Sequence, residues 1–417
     1  MEGEMSKNNV LVLILTVLFV GAVSNAFGAG FHIHDQGAKA MGMANAFVAQ
    51  ADDPSALFYN PAGIAFQEGS QISLGVTTIM VPETEFKGST RLGTTTINNV
   101  NEKARGDVFF PPNLYITHSL ENVPLSFGIG FNSIYPLAKR WKSTSPFRDE
   151  IKEIAIKPFN VQPTVAYRFD KWNLSVAAGI DYTYAMVWLE KSPYMGATGL
   201  GDMEIEGDGD GWGYNFGILW KPIKQVSIGA AYRSEIKLDI DGDADFASPL
   251  PGMSFSGDAS TSITLPDTWS FGIAYKPIER LTLEFDVDRF GWSSYDELKI
   301  KFDSRSTLGS QSAAAKDWDD CWAYRFGIQY SVTDNLDIRA GYAYDETPQP
   351  EKTVGPELPD ADRHNYTVGL GYKVGKATFD VAYMFVDFKD RKVDNHIQTG
   401  TYKSEAHLFA ANLTYRF

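Results

Sequence analysis

Few side chains in this 417-residue chain are spaced for covalent or metal chemistry. His32-x-His34 supplies two imidazoles, short of a closed metal site. Glu206-x-Asp208-x-Asp210-Gly211 opens like a calcium loop, but Gly217 stands at the twelfth position, where a bidentate Glu is needed. Asp239, Asp241, Asp243 and Asp245 read as a solvated acidic loop, with loosely held divalent cations as the other reading. No Ser, His and acid stand at hydrolase spacings. The single cysteine, Cys321, allows neither a disulfide nor a thiolate cluster. No catalytic residue, metal or cofactor is expected. The informative charges lie elsewhere. Arg168, Arg233, Glu235, Glu284, Asp286, Asp288, Arg325, Arg339 and Arg363 all sit within runs that alternate apolar and non-apolar residues. A basic side chain facing hydrocarbon would cost roughly 2–4 kcal/mol at a bilayer midplane. These charges are therefore expected to face a polar interior, mostly as ion-pair ladders, with a few meeting a ligand.

The elements that must position them are strands. Leu336, Ile338, Ala340, Tyr342 and Tyr344 alternate with Asp337, Arg339, Gly341, Ala343 and Asp345, and the same period of two recurs from Gln71 to the C-terminus. The 27 Phe, 20 Tyr and 37 Gly suit an all-β chain. Connections alternate in length. Short ones stand at Asp170-Lys171, Thr333-Asp334-Asn335 and Val374-Gly375, and long polar ones near 87–104, 140–151, 191–203, 241–258, 303–316, 346–361 and 390–402. A soluble sandwich would have short turns at both ends. Short turns on one side and long loops on the other predict an all-β membrane protein, an antiparallel transmembrane β-barrel of about fourteen strands. The formal charge of −15 carries no basic footprint for nucleic acid.

Both ends agree. Lys7, the apolar run Val10–Val23 and the small residues up to Ala29 predict a secretory signal peptide over 1–28. The last strand ends in the aromatic Phe417, the kind of signal read by outer-membrane assembly machinery. Residues 29–69 do not alternate. They combine small-residue helical turns from Gly37 to Gln50 with turns through Asp53-Pro54-Ser55 and Asn60-Pro61-Ala62-Gly63. This segment is expected to be a small helical hatch that plugs the interior of a barrel formed by 70–417. A periplasmic arm is the alternative, against which its small apolar residues argue.

The chain resembles the FadL family of outer-membrane transporters for long-chain fatty acids and hydrocarbons. The likeness is carried in order by Ala29-Gly30-Phe31, Gly37-x-x-x-x-Gly42-x-Ala44-x-Ala46, Asp53-Pro54-Ser55, Asn60-Pro61-Ala62-Gly63, Tyr232-Arg233-Ser234-Glu235-Ile236-Lys237, Leu265-Pro266-Asp267-x-Trp269, Ala323-Tyr324-Arg325 and Leu358-Pro359-Asp360-Ala361-Asp362-Arg363. The resemblance implies a fourteen-stranded monomeric barrel with an N-terminal hatch, set in outer-membrane lipid and lipopolysaccharide. It implies passive uptake of a long-chain fatty acid or another hydrophobic small molecule. A general porin, or an outer-membrane lipid-modifying enzyme, is the alternative.

The same resemblance assigns roles. The apolar loop residues Phe246, Leu250, Met253 and Phe255 would capture ligand at the surface. Gly30, Phe31, Asn60, Pro61 and Ala62 would be the movable hatch elements, with Phe31 filling a pocket that ligand otherwise takes. Pro136 has no N–H for a ladder; with Tyr135 it would mark a kink in the third strand, through which ligand leaves sideways. Asp360, Asp362 and Arg363 would pin strand or hatch by ion pairs. Where a basic residue for a ligand carboxylate is implied in the fifth strand, this chain has Tyr184, Met186 and Trp188. Met186 and Trp188 are therefore read as apolar lumen residues, Arg233, Arg325 and Arg339 as the basic substitutes, and neutral hydrocarbons stay open as ligands.

Overall fold

Alternation of the kind seen in Tyr366, Val368, Leu370 and Tyr372 gives each strand one greasy and one polar face. Those four side chains are about half exposed and point outward, while Arg363, Asn365 and Thr367 on the other face of the same strand are buried inside. A sheet that is apolar outside and polar within closes on itself. The computed structural model describes residues 30–303, 306–307 and 309–417. The expected export segment, residues 1–28, lies outside the described residues.

Fourteen antiparallel strands form the barrel. They begin with Ser70–Val81 and end with Glu405–Arg416, and these two close the ring in a ladder from Gln71↔Arg416 to Met80↔His407. The longest unbroken ones are the fourth (Glu153–Phe169), fifth (Leu174–Lys191) and sixth (Asp202–Ile223). Several are broken in mid-course. The seventh runs Val226–Arg233 and Ile236–Ala247, the eighth Phe255–Leu265 and Thr268–Ile278, and the ninth Leu281–Phe290 and Glu297–Phe302. Among the described residues no helix is long and apolar enough to cross a membrane.

Two of the long connections are themselves structured. Glu85–Leu92 and Thr95–Lys103 pair with Gln398–Lys403 and Arg391–Asp394 into a separate four-stranded sheet. Phe86, Trp141, Phe147 and Tyr402 form the apolar core associated with it. The acidic residues expected in a loop are also in strands. Glu204, Glu206, Asp208 and Asp210 of the sixth strand stand directly opposite Asp245, Asp243, Asp241 and Asp239 of the seventh. All eight are exposed on the outer face. Gly207 and Gly209 between them, and buried Ile240 and Ala244, let that stretch keep a strand's alternation despite its acidity.

The segment before the first strand fills the interior. It contains short helices at Ala38–Met41 and Ala56–Tyr59 and a 3₁₀ turn at Pro61–Phe66. Ala40, Met41, Phe47, Leu57 and Ile64 are fully buried against the inner wall. Close approach needs gaps in that wall: a Cβ at Gly229 would collide with the Val48 carbonyl oxygen.

Candidate functional site

The interior site is built around Phe31. Gly30 takes φ +74°, and a Cβ there would lie 2.6 Å from Trp318 and 2.9 Å from Trp292. Only glycine lets the chain turn in so close a space. Phe31 then enters an aromatic cage, with ring centroids 4.7 Å from Trp292, 6.0 Å from Trp318, 6.2 Å from Tyr295 and 6.3 Å from Tyr135. Trp292 sits where the ninth strand breaks and Trp318 just before Cys321 opens the second half of the tenth. Neither was singled out from the sequence. The available signal was an aromatic residue inside a segment that does not alternate.

The apolar cluster that holds Phe31 also contains Ile156, Ile240 and Ile263. These, with Ile154, Val187 and Leu298, line a cavity of about 60 Å³. Nearer the loops, Met203, Phe246 and Phe255 line a groove of about 540 Å³, flanked by Glu190, Asp202, Glu204 and Asp245. Phe246 and Phe255 are buried strand residues rather than loop residues, because the strands extend to Ala247 and from Phe255. Leu250 and Met253, in the connection between these strands, are half-buried.

The third strand breaks where Pro136 predicted. It runs Leu125–Asn132, stops, and resumes at Leu137–Arg140. Asn132 faces Asn160 and Leu137 faces Ile156, so four residues on the third strand oppose three on the fourth. On its other side the ladder with the second strand ends at Leu114↔Phe131. The next backbone bond recorded between these segments is Arg105 N–H to the Arg140 carbonyl, at 2.8 Å. The hatch occupies the inner side of this lapse. Ile33 N–H donates to the Ile134 carbonyl at 2.7 Å, and the Gln36 amide donates to the Ser133 carbonyl at 2.6 Å. Tyr135 crosses the lumen and donates to the Pro266 carbonyl at 3.2 Å.

Charged residues line the interior as matched sets. Arg233 pairs with Asp181 and donates to Gln162. Arg325 bridges Asp288 at 2.6 Å and Asp345 at 3.2 Å. Arg363 lies 3.5 Å from Asp345 and 3.7 Å from Asp360. Asp360 in turn accepts Gly30 N–H at 3.2 Å and the Thr347 hydroxyl at 2.6 Å. Burial pushes the Asp360 carboxyl up from its ordinary value, against the pull of Arg363. Asp362 sits apart, accepting from Tyr344 and bridging Lys389 at 3.3 Å near the surface. Arg339 is held by Asp380 at 2.7 Å and packs beneath the hatch at Gly42. His32 and His34 are buried among Phe58, Phe290 and Tyr135.

Met186 and Trp188 do not project into the lumen, although Trp188 borders the apolar cavity beside Val187. The fifth strand turns Asp181, Thr183 and Ala185 inward, each buried, and its even-numbered side chains outward. Met186 is 38% exposed on that outer face. The lumen near the loops is itself apolar, through Val187 and Leu189, so apolarity alone does not tell the two faces apart. Asn60, Pro61 and Ala62 are fastened rather than loose: the Asn60 amide donates to the Val48 and Ile218 carbonyls at 2.8 and 3.0 Å, and Ser175 donates to the Ala62 carbonyl at 2.8 Å.

A closed barrel that is apolar outside, filled by its own N-terminal segment and structured at its loops, is an outer-membrane architecture. Residues 19–417 match the family described as outer membrane protein transport protein (OMPP1/FadL/TodX). The chain belongs to that family and is an outer-membrane protein. It is 26% identical to the long-chain fatty acid transport protein of Escherichia coli O6:H1, over 99% of this chain and all of that one. A solved Pseudomonas aeruginosa FadL homologue superposes with TM-score 0.83 at 21% identity, covering 93% of this chain and 100% of its own. The Pseudomonas putida toluene transporter TodX gives TM-score 0.71 at 18% identity, over 87% and 94% of the two chains.

Proposed function

We propose that this protein is a passive uptake channel for hydrophobic molecules, either long-chain fatty acids or hydrocarbons. The observation that carries this reading is the continuity of the Phe31 cage with an apolar cavity on one side and the broken third strand on the other. Ligand would gather in the groove at Phe246 and Phe255 and pass into the apolar cavity. It would displace Phe31 and leave sideways between the second and third strands into the outer leaflet. Such a route keeps an apolar molecule out of water throughout.

Among these ligands an uncharged one fits better. Arg233, Arg325 and Arg339 are each hydrogen-bonded to a buried carboxylate, while Arg363 stands near Asp345 and Asp360 without a hydrogen bond to either, and the groove is flanked by four more acids. An incoming carboxylate would have to break one of these pairs, and a buried charge stripped of its partner is costly.

Deleting the protein and restoring it in the same cells, with toluene and oleate uptake followed, tests the reading. Restored uptake of either supports it. Steady ion conductance by the purified barrel, without uptake of either compound, would favour the general porin.

A further inference from the structure

The ninth strand carries three carboxylates in a row on its inner face, Glu284, Asp286 and Asp288, at every second position. Each is at most 1% exposed. Like charges so placed repel, and burying them is expensive unless partners compensate. Asp288 has Arg325. Glu284 and Asp286 share a side-chain hydrogen bond, and their remaining partners are backbone groups of the hatch. Asp286 accepts the N–H of Phe47 at 2.7 Å and of Val48 at 2.9 Å. Glu284 accepts the N–H of Ala49 at 2.6 Å and of Gln50 at 3.1 Å. Two wall carboxyl groups thus hold four consecutive donors of one turn. On the adjacent seventh and eighth strands, Gly229 and Gly272 leave the space that Val48 occupies.

The rest of the hatch body is tied in the same way. Asn412 accepts Ala38 N–H at 2.8 Å, Thr367 accepts Ala44 N–H at 3.0 Å, and Gln162 donates to the Leu57 carbonyl. The arm before Gly37 is held differently. Its tip is tied to Asp360 in a loop and to the carbonyls of the broken stretch at Ser133 and Ile134, and wall side chains reach only its inner end, where the Thr77 and Tyr115 hydroxyls donate to the Asp35 and Gln36 carbonyls at 2.9 and 3.0 Å.

We infer that Glu284 and Asp286 are positioning residues: a carboxylate clamp that fixes the hatch body to the wall and confines gating to residues 30–36. The inference rests on the proposal that the hatch gates uptake.

The test is amide hydrogen exchange on the full chain, folded in detergent micelles, with and without toluene or oleate. Wild type should show faster exchange in residues 30–36 on adding either probe, with no change at 47–50. Glu284→Ala with Asp286→Ala should raise exchange at 47–50 about tenfold or more and let ions leak through reconstituted barrels. Glu284→Gln with Asp286→Asn should restore part of the protection, since amide oxygens still accept hydrogen bonds. If the Ala pair does not fold, the Gln/Asn pair and wild type decide. The clamp is overturned if ligand opens 47–50 as readily as 30–36 in wild type. It is equally overturned if neither folded variant loses protection there. Absence of any ligand response in the wild-type hatch, with 47–50 still loosened in the variants, would instead count against the uptake reading.

Discussion

The backbone N–H of Gly30 donates to the carboxylate of Asp360, joining the first described residue to a loop far along the chain. Through Asp360 the bond reaches Arg363, Asp345, Arg325 and Asp288, so the tip of the hatch arm ends on a buried chain of alternating charges. The position of the arm and the charge balance of the wall are thereby coupled.

Gly30→Ala should dislodge the arm. The new Cβ meets Trp318 and Trp292, and a left-handed backbone at a non-glycine residue adds about 1–3 kcal/mol of strain. Tryptophan fluorescence should shift as Phe31 leaves the cage, while unfolding of the barrel in urea stays close to wild type.

Phe31→Ala should leave a dry apolar hole among Trp292, Trp318, Tyr295 and Tyr135. Truncating a buried Phe costs about 3–5 kcal/mol where the site cannot collapse. Apolar cavities of this kind bind small aromatic molecules. Toluene should therefore bind the variant more tightly than wild type, read by quenching of the cage tryptophans.

Arg233→Ala should destabilise the barrel by about 3–5 kcal/mol, because Asp181 is left fully buried without its cation. Adding Asp181→Asn should recover much of that loss. Urea unfolding of the two variants measures the difference.

Salt should stabilise this protein. Four pairs of carboxylates stand directly opposite across the sixth and seventh strands on the outer face, an arrangement that is repulsive when unscreened. The melting temperature should rise between low and moderate sodium chloride, and substituting Asp208 and Asp241 by Asn should flatten the dependence.

Much of this architecture was legible in the residues. Alternation in Leu336–Asp345 assigned Ile338 and Tyr342 to lipid and Arg339 and Asp345 to the lumen, because a one-residue shift would reverse every side chain. Pro136 marked the break in the third strand because it lacks a donor. The failures have physical causes. Met186 and Trp188 were given to the lumen because both faces of the fifth strand become apolar near the loops. Phe246 and Phe255 read as loop residues because the acidic run beside them hides a strand whose outward face carries four consecutive aspartates. The clamp at Glu284 and Asp286 was invisible, since its partners are backbone N–H groups and any sequence supplies those.

Sideways exit at the third strand is the center of the functional account, and deleting one residue from Ser133–Pro136 tests it most directly. The deletion would match three residues to three on the fourth strand and let the ladder with the second strand continue past Phe131. Toluene and oleate uptake into vesicles containing the folded variant is the measurement. The account predicts that uptake falls to the level of vesicles lacking the protein; uptake equal to wild type through a straightened third strand would contradict it.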